Sequence, residues 1–153
     1  MTEHVATILW TGDGTEFTKG RFSRAHTWAF DGGITVAGSA SPSVVPAPMS
    51  RTDAIDPEEA FVASLSSCHM LTFLFFAARK GFAITRYEDK AVGILTKNAK
   101  GKLFVSKVTL RPAIAFAGDK TPNATELADL HHLAHEECFI ANSVLTEVVV
   151  ESA

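Results

Sequence analysis

Cysteine is scarce in this chain: the 153 residues hold two, Cys68 and Cys138, 70 positions apart. Two cysteines make no framework of structural disulfides. The residues after Met1 also lack the basic-then-apolar pattern of a secretory leader. Together these point to a reducing, cytoplasmic compartment, where a static bridge is disfavoured and a transient catalytic one is allowed. Charge is sparse as well, at 20% of residues with a formal net charge of −3. The lysines and arginines are scattered, which argues against nucleic acid or an anionic membrane as the main partner. Other signatures are missing: a Gly-rich phosphate loop, a Gly-x-Ser-x-Gly elbow, a Cys-x-x-Cys pair and a His-Glu-x-x-His helix. His131-His132-x-x-His135 lacks the glutamate that would make a metalloprotease. No cofactor is expected. Without repeats, low-complexity tracts or a boundary, residues 1–153 read as a single domain large enough to bury a core.

The longest apolar run, Phe61–Ala78, has 18 residues with no charge beyond His69. It meets the lower length limit of a membrane span. Glu58 and Glu59 press on one end, its first half is rich in small residues and serine, and no second such segment exists. It reads instead as the buried axis of a soluble domain. Asp56-Pro57-Glu58-Glu59 is a helix start, with Asp56 as cap, Pro57 in the first helical position and Glu59 closing the box. That helix should run to about Lys80 and end on Gly81.

Around it, Val5–Trp10, Phe17–Phe30 and Ile34–Ala40 read as strands, with Asp31-Gly32-Gly33 a hairpin turn. Ser41–Met49, with three prolines, is an extended connector. Ile84–Thr96 reads as a strand and Asn98–Gly101 as a turn. Phe104–Phe116 is a half-buried strand, or a pair bent at Pro112. A second helix opens at Thr121-Pro122 and runs to about Glu137, and Val144–Glu151 closes the chain as a strand. The order βββ–α–ββ–α–β has few alternating βα units, so the expected class is α+β with antiparallel sheet.

Cys68 has two readings, a small core residue or a reactive thiol. Burial in apolar surroundings raises a cysteine pKa, and Cys68 lies too far from the helix start for the macrodipole to help, so reactivity needs a nearby cation. Arg24 is the first candidate because it does not deprotonate; Arg51 and Arg21 are alternatives. Glu58 could hold the Arg24 guanidinium in a bidentate pair. Glu58 and Cys68 are ten residues apart, about 15 Å along one helix. Either the helix starts late or the two meet across a subunit interface. His131, His135 and Cys138 at i, i+4 and i+7 share a helical face with zinc-ligand chemistry, and Cys68 or His69 is a possible fourth ligand. His132 points to solvent. A third possibility is a non-enzymatic binder of apolar ligands with silent cysteines.

Together these residues resemble the OsmC/organic hydroperoxide resistance family. Asp56-Pro57-Glu58-Glu59-Ala60-Phe61-x-Ala63-Ser64-Leu65-Ser66-Ser67-Cys68 is similar to the family's Pro-Glu segment, with its cysteine ten residues after the glutamate. Ala134-His135-x-x-Cys138-Phe139-Ile140-Ala141-Asn142-Ser143 resembles the second-cysteine segment, and Arg24, 34 residues before Glu58, matches the family arginine in position. The resemblance implies antiparallel sheets wrapped around a long buried central helix in an intertwined homodimer with active sites at the interface. It implies a hydroperoxide reductase in which Cys68 becomes a sulfenic acid and Cys138 resolves it to a disulfide. Arg24 would activate the thiol and Glu58 would hold Arg24. A dithiol reductant, dihydrolipoyl in one branch, would reopen the bridge. Phe73, Phe75 and Phe76 suit an organic hydroperoxide. Two departures mark a less-studied branch: Phe139 stands where proline is common, and His69 follows the first cysteine.

Overall fold

A computed structural model describes residues 1–151; the last two residues of the expected 1–153 domain lie outside the described residues. The chain resolves into two compact units, Met1–Ala60 and Phe61–Ala153. Strands β1 (Ala6–Leu9), β2 (His26–Phe30) and β3 (Thr35–Gly38) form an antiparallel sheet in the first. The expected hairpin is present. Phe30 N–H donates to Ile34 O at 2.9 Å, and Gly33 takes φ 82°, a conformation glycine adopts without a Cβ penalty.

The expected Phe17–Phe30 strand is corrected: only its last five residues are extended. Phe17–Lys19 is a 3₁₀ turn, with Glu16 at φ 53° and Gly20 at φ 74° on either side. The alternating aromatics gather instead of lining a strand face. The Phe17 and Phe22 rings stack with centroids 4.5 Å apart, and Trp10 lies 5.5 Å from Phe17.

Helix α1 (Pro57–Arg79) starts as the sequence dictates. Glu59 N–H donates to Asp56 Oδ1 at 2.7 Å, and Asp56 N–H donates to Glu59 Oε2 at 3.1 Å. At the other end Phe82 N–H reaches Ala77 O and Gly81 N–H reaches Ala78 O, each at 3.0 Å, with Gly81 at φ 77°. This is a Schellman close, which satisfies carbonyls the helix would otherwise strand. Among the described residues α1 alone would pass for a membrane span by length and composition.

Burial of α1 follows an i, i+4 stripe, Leu65–His69–Phe73–Ala77. Along the opposite stripe Ala63 and Ser67 are exposed, Leu71 is 61% exposed and Phe75 55%. Within a single chain, then, the expected buried axis is covered along one stripe.

The second unit contains strands β4 (Ala83–Asp89), β5 (Val92–Lys97), β6 (Leu103–Leu110) and β7 (Pro112–Ala117), helix α2 (Ala124–Glu137) and strand β8 (Glu147–Val150). The expected Ile84–Thr96 strand is divided into β4 and β5, and Phe104–Phe116 takes the alternative of a pair broken at Pro112. β4 pairs with β7 in one sheet, while β5, β6 and β8 make another. The division at Arg111 has a local cause. Pro112 has no N–H to continue the ladder, and Arg111 N–H is taken by Asp89 Oδ1 at 2.6 Å. β6 pairs with β8 in parallel, so the expectation of purely antiparallel sheet is corrected for that pair. α2 starts two residues later than expected, because Asn123 and Glu126 build a reciprocal capping box.

Two cores flank the buried stripe of α1. Phe73 and Ala77 pack with Phe82, Leu130 and Ala134; Leu65 packs with Val108 and Leu110. Gly93 in β5 lets this second core close: a Cβ there would stand 2.5 Å from Val62 Cγ2. Val62 is β-branched and stiff on its helix, so Gly93→Ala is expected to cost about 1–3 kcal/mol in urea denaturation. An unchanged midpoint would show that the helix yields freely there.

Candidate functional site

The two sulfurs come together. Cys68 lies half-buried midway along α1, its carbonyl accepting from Thr72 Oγ1 at 2.9 Å. Cys138 is 1% exposed and is the C-cap of α2. Both thiols are free, and the Cys68 side chain is a neighbour of the Cys138 thiol.

A dense local network holds Cys138 in place. Its carbonyl accepts from Asn142 N at 3.0 Å and from Asn142 Nδ2 at 3.0 Å; the same amide group donates to Glu136 O at 2.7 Å. Ala141 N–H points at Cys138 Sγ from 3.4 Å. Asn142 thus closes the last turn of α2 and the 3₁₀ turn Ala141–Ser143 in one stroke. Burial first, and then the neighbouring Cys68 side chain, push the Cys138 thiol up to about 11. It is protonated at neutral pH, and it belongs to the less accessible of the two cysteines. Phe139 next to it is 81% exposed.

The zinc-ligand reading meets a different geometry. Cys138 sits at ψ 112°, off the helix, so it does not continue the face of His131 and His135. His131 is buried rather than half-exposed, and its Nδ1 lies 3.1 Å from His69 Nε2. Among the described residues no three His, Cys, Asp or Glu side chains gather as a metal site. His132 points to solvent, 3.9 Å from Glu136. Phe73 is fully buried with its ring 4.5 Å from that of His131, so it belongs to the core rather than to a substrate surface.

The His69–His131 pair is the feature that sequence reasoning missed. Burial, reinforced by His131 and then His135, lowers His69 to about 4. Burial lowers His131 to about 4 as well, against the opposing pull of Asp89. Tyr87, beside Asp89, is pushed upward by burial. A signal existed: His69 falls on the otherwise apolar stripe of Leu65, Phe73 and Ala77.

The other expected site residues lie in the first unit. The Arg24 guanidinium lies 3.7 Å from the Phe22 ring centroid and donates to Gly20 O at 3.1 Å and to Phe22 O. Arg21 pairs with Glu16 and Arg51 with Asp53, whereas Arg24 has no carboxylate partner among the described residues. Glu58 is half-buried in the first turn of α1, so the helix does not start late. Glu58 and Arg24 do not pair within the chain among the described residues. Arg24 also borders an apolar pocket of about 410 Å³ with Trp10, Phe17, Phe22 and Pro57.

Comparison with known proteins places this geometry in context. The sequence profile of the family described as OsmC-like protein matches residues 50–153. The structure of an OsmC-like protein of unknown function from Vibrio cholerae is 56% identical, with all of both chains covered and a TM-score of 0.96. The organic hydroperoxide resistance protein OhrB of Bacillus subtilis is 19% identical, covering 99% of this chain and 98% of its own, with a TM-score of 0.72. An OsmC-like protein from Mycoplasma pneumoniae is 15% identical over 99% of this chain and 96% of its own, with a TM-score of 0.74. No curated protein matches the chain.

Proposed function

The chain belongs to the OsmC-like protein family, and on that premise we propose that it is a thiol-dependent reductase of organic hydroperoxides. The mixed α/β OsmC-like fold, with two helices and several antiparallel sheets, is the scaffold of this reading. One observation carries it: two free thiols are neighbours, one half-exposed and one buried and protonated.

In the proposed reaction the Cys68 thiolate attacks the outer oxygen of the hydroperoxide. The O–O bond breaks, Cys68 becomes a sulfenic acid and the alkoxide leaves as an alcohol after taking a proton. The Cys138 sulfur then attacks the Cys68 sulfur. Its proton and the sulfenic hydroxyl leave as water, and a Cys68–Cys138 disulfide forms. A dithiol of the dihydrolipoyl type reduces the bridge and is itself oxidised.

Arg24 is proposed to stabilise the thiolate and the developing alkoxide, and Glu58 to hold Arg24. About 15 Å of helix separates Glu58 from its own chain's Cys68, so this pair is proposed to serve the site of a second copy in a homodimer. The exposed Leu71 and Phe75 on α1 support a covered face there. The apolar pocket beside Arg24 suits the organic part of a hydroperoxide better than hydrogen peroxide. Residues 1–153 are proposed to act as a single domain in a reducing, cytoplasmic setting.

Mass spectrometry of the reduced protein after one equivalent of tert-butyl hydroperoxide tests the scheme. Loss of two hydrogens, with Cys68 and Cys138 recovered as a linked peptide pair, is the expected result. Persistent free thiols would overturn it.

A further inference from the structure

His69 and His131 are sealed in the core of the second unit, 1% and 7% exposed. Their rings are nearly parallel, 11° apart with centroids 5.4 Å apart, and one hydrogen bond of 3.1 Å joins Nε2 of the first to Nδ1 of the second. A neutral imidazole has one donor nitrogen and one acceptor nitrogen. Whichever ring donates, one N–H and one lone pair are left over. Among the described residues His69 Nδ1 and His131 Nε2 have no partner. Two apolar side chains of similar volume would leave nothing unmet, so this pair is a poor choice for stability alone.

Its placement supplies another reason. His69 is the neighbour of Cys68 on α1, and His131 lies two turns before Cys138 on α2. Between them, these four residues make two contacts across the same pair of helices. Apolar packing tolerates small slides and rotations, whereas a hydrogen bond fixes two atoms to within a few tenths of an ångström.

We infer that the His69–His131 hydrogen bond is a registration clamp, which sets α2 against α1 so that the Cys138 sulfur faces Cys68. Both histidines are then positioning residues for bond formation between the two sulfurs. The inference rests on the reading that those sulfurs join, and it adds what holds them in line. The groups around the clamp are His135 on α2, Tyr87 and Asp89 on β4, and Phe73 on α1.

The test equilibrates the full-length chain in glutathione redox buffers and reads the effective concentration of the two thiols, together with Tm at pH 7. Oxidised glutathione accepts the two electrons and becomes two reduced glutathiones, so no hydroperoxide is involved. Failure of the peroxidase reading would leave this measurement intact. His131→Phe and His69→Leu are expected to keep or raise Tm while effective concentration falls about tenfold, as when two groups lose fixed geometry. His131→Asn and His69→Gln, which place polar atoms near the bonded ring nitrogens, should restore most of it. Undiminished coupling in the apolar variants would overturn the clamp. Unfolding of both would also overturn it, because the pair would then be a stability element. A parent chain that forms no Cys68–Cys138 bond in any buffer would sink both readings.

Discussion

Replacing Cys68 with serine should lower the consumption of cumene hydroperoxide by about a thousandfold or more, equivalent to roughly 4 kcal/mol of transition-state stabilisation. A serine hydroxyl is not ionised at neutral pH and is a far weaker nucleophile toward oxygen than a thiolate. Cys138→Ser should behave differently. The protein should consume one equivalent of hydroperoxide and then stop, with Cys68 held as a sulfenic acid that a nucleophilic trap labels. The contrast follows from the geometry. Cys68 is the half-exposed sulfur, and Cys138 is buried with its thiol pushed up to about 11. Full activity in Cys68→Ser would end the reading. Equal loss of the first oxidation in both variants would mean that the two cysteines do not divide the work.

Acid should destabilise the fold between pH 6.5 and about 4. His69 and His131 are both lowered from 6.5 to about 4, chiefly by burial. The unfolded chain takes up protons at these two positions as pH falls below 6.5, while the folded chain resists until about 4. The unfolded state thus binds more protons across that window, so stability rises with pH there and is fully present above it. The expected loss is on the order of 3 kcal/mol for the pair, since the two sites are coupled and do not simply add. Urea denaturation at pH 7 and pH 4.5 measures it, and His131→Phe should flatten the difference. A parent chain equally stable at both values would show that these imidazoles are not held neutral by the core.

Local chemistry made much of this fold legible in the sequence. The box at Asp56, the glycine close at Gly81 and the Asp31-Gly32-Gly33 hairpin each depend on residues a few positions apart, and each forms as expected. The reading was weaker where neighbours far along the chain decide. Thr109 is polar and lies between Val108 and Leu110 on an expected half-buried strand, yet it is only 5% exposed, in a β6 flanked by β5 and β8. The turn at Phe17–Lys19 was hidden by aromatics whose alternation imitates a strand. At the site, the two cysteine segments were recognisable through their resemblance to a family. The His69–His131 bond was not, because its partners are 62 positions apart and carry no shared local pattern.

The parallel pairing of β6 with β8 joins Lys107 to Glu147 and Leu110 to Val150, positions forty apart. Contacts of such separation must meet their loop-closure entropy before they stabilise anything, which makes them slow to form. Between these strands in the chain lie β7, all of α2 and the Cys138 corner. The corner is therefore the interior of a long loop whose far end is pinned by β8. Folding order and thiol chemistry are thereby linked: on a ribosome the Cys68 helix emerges before α2, and its partner sulfur is anchored on both sides only when β8 docks on β6.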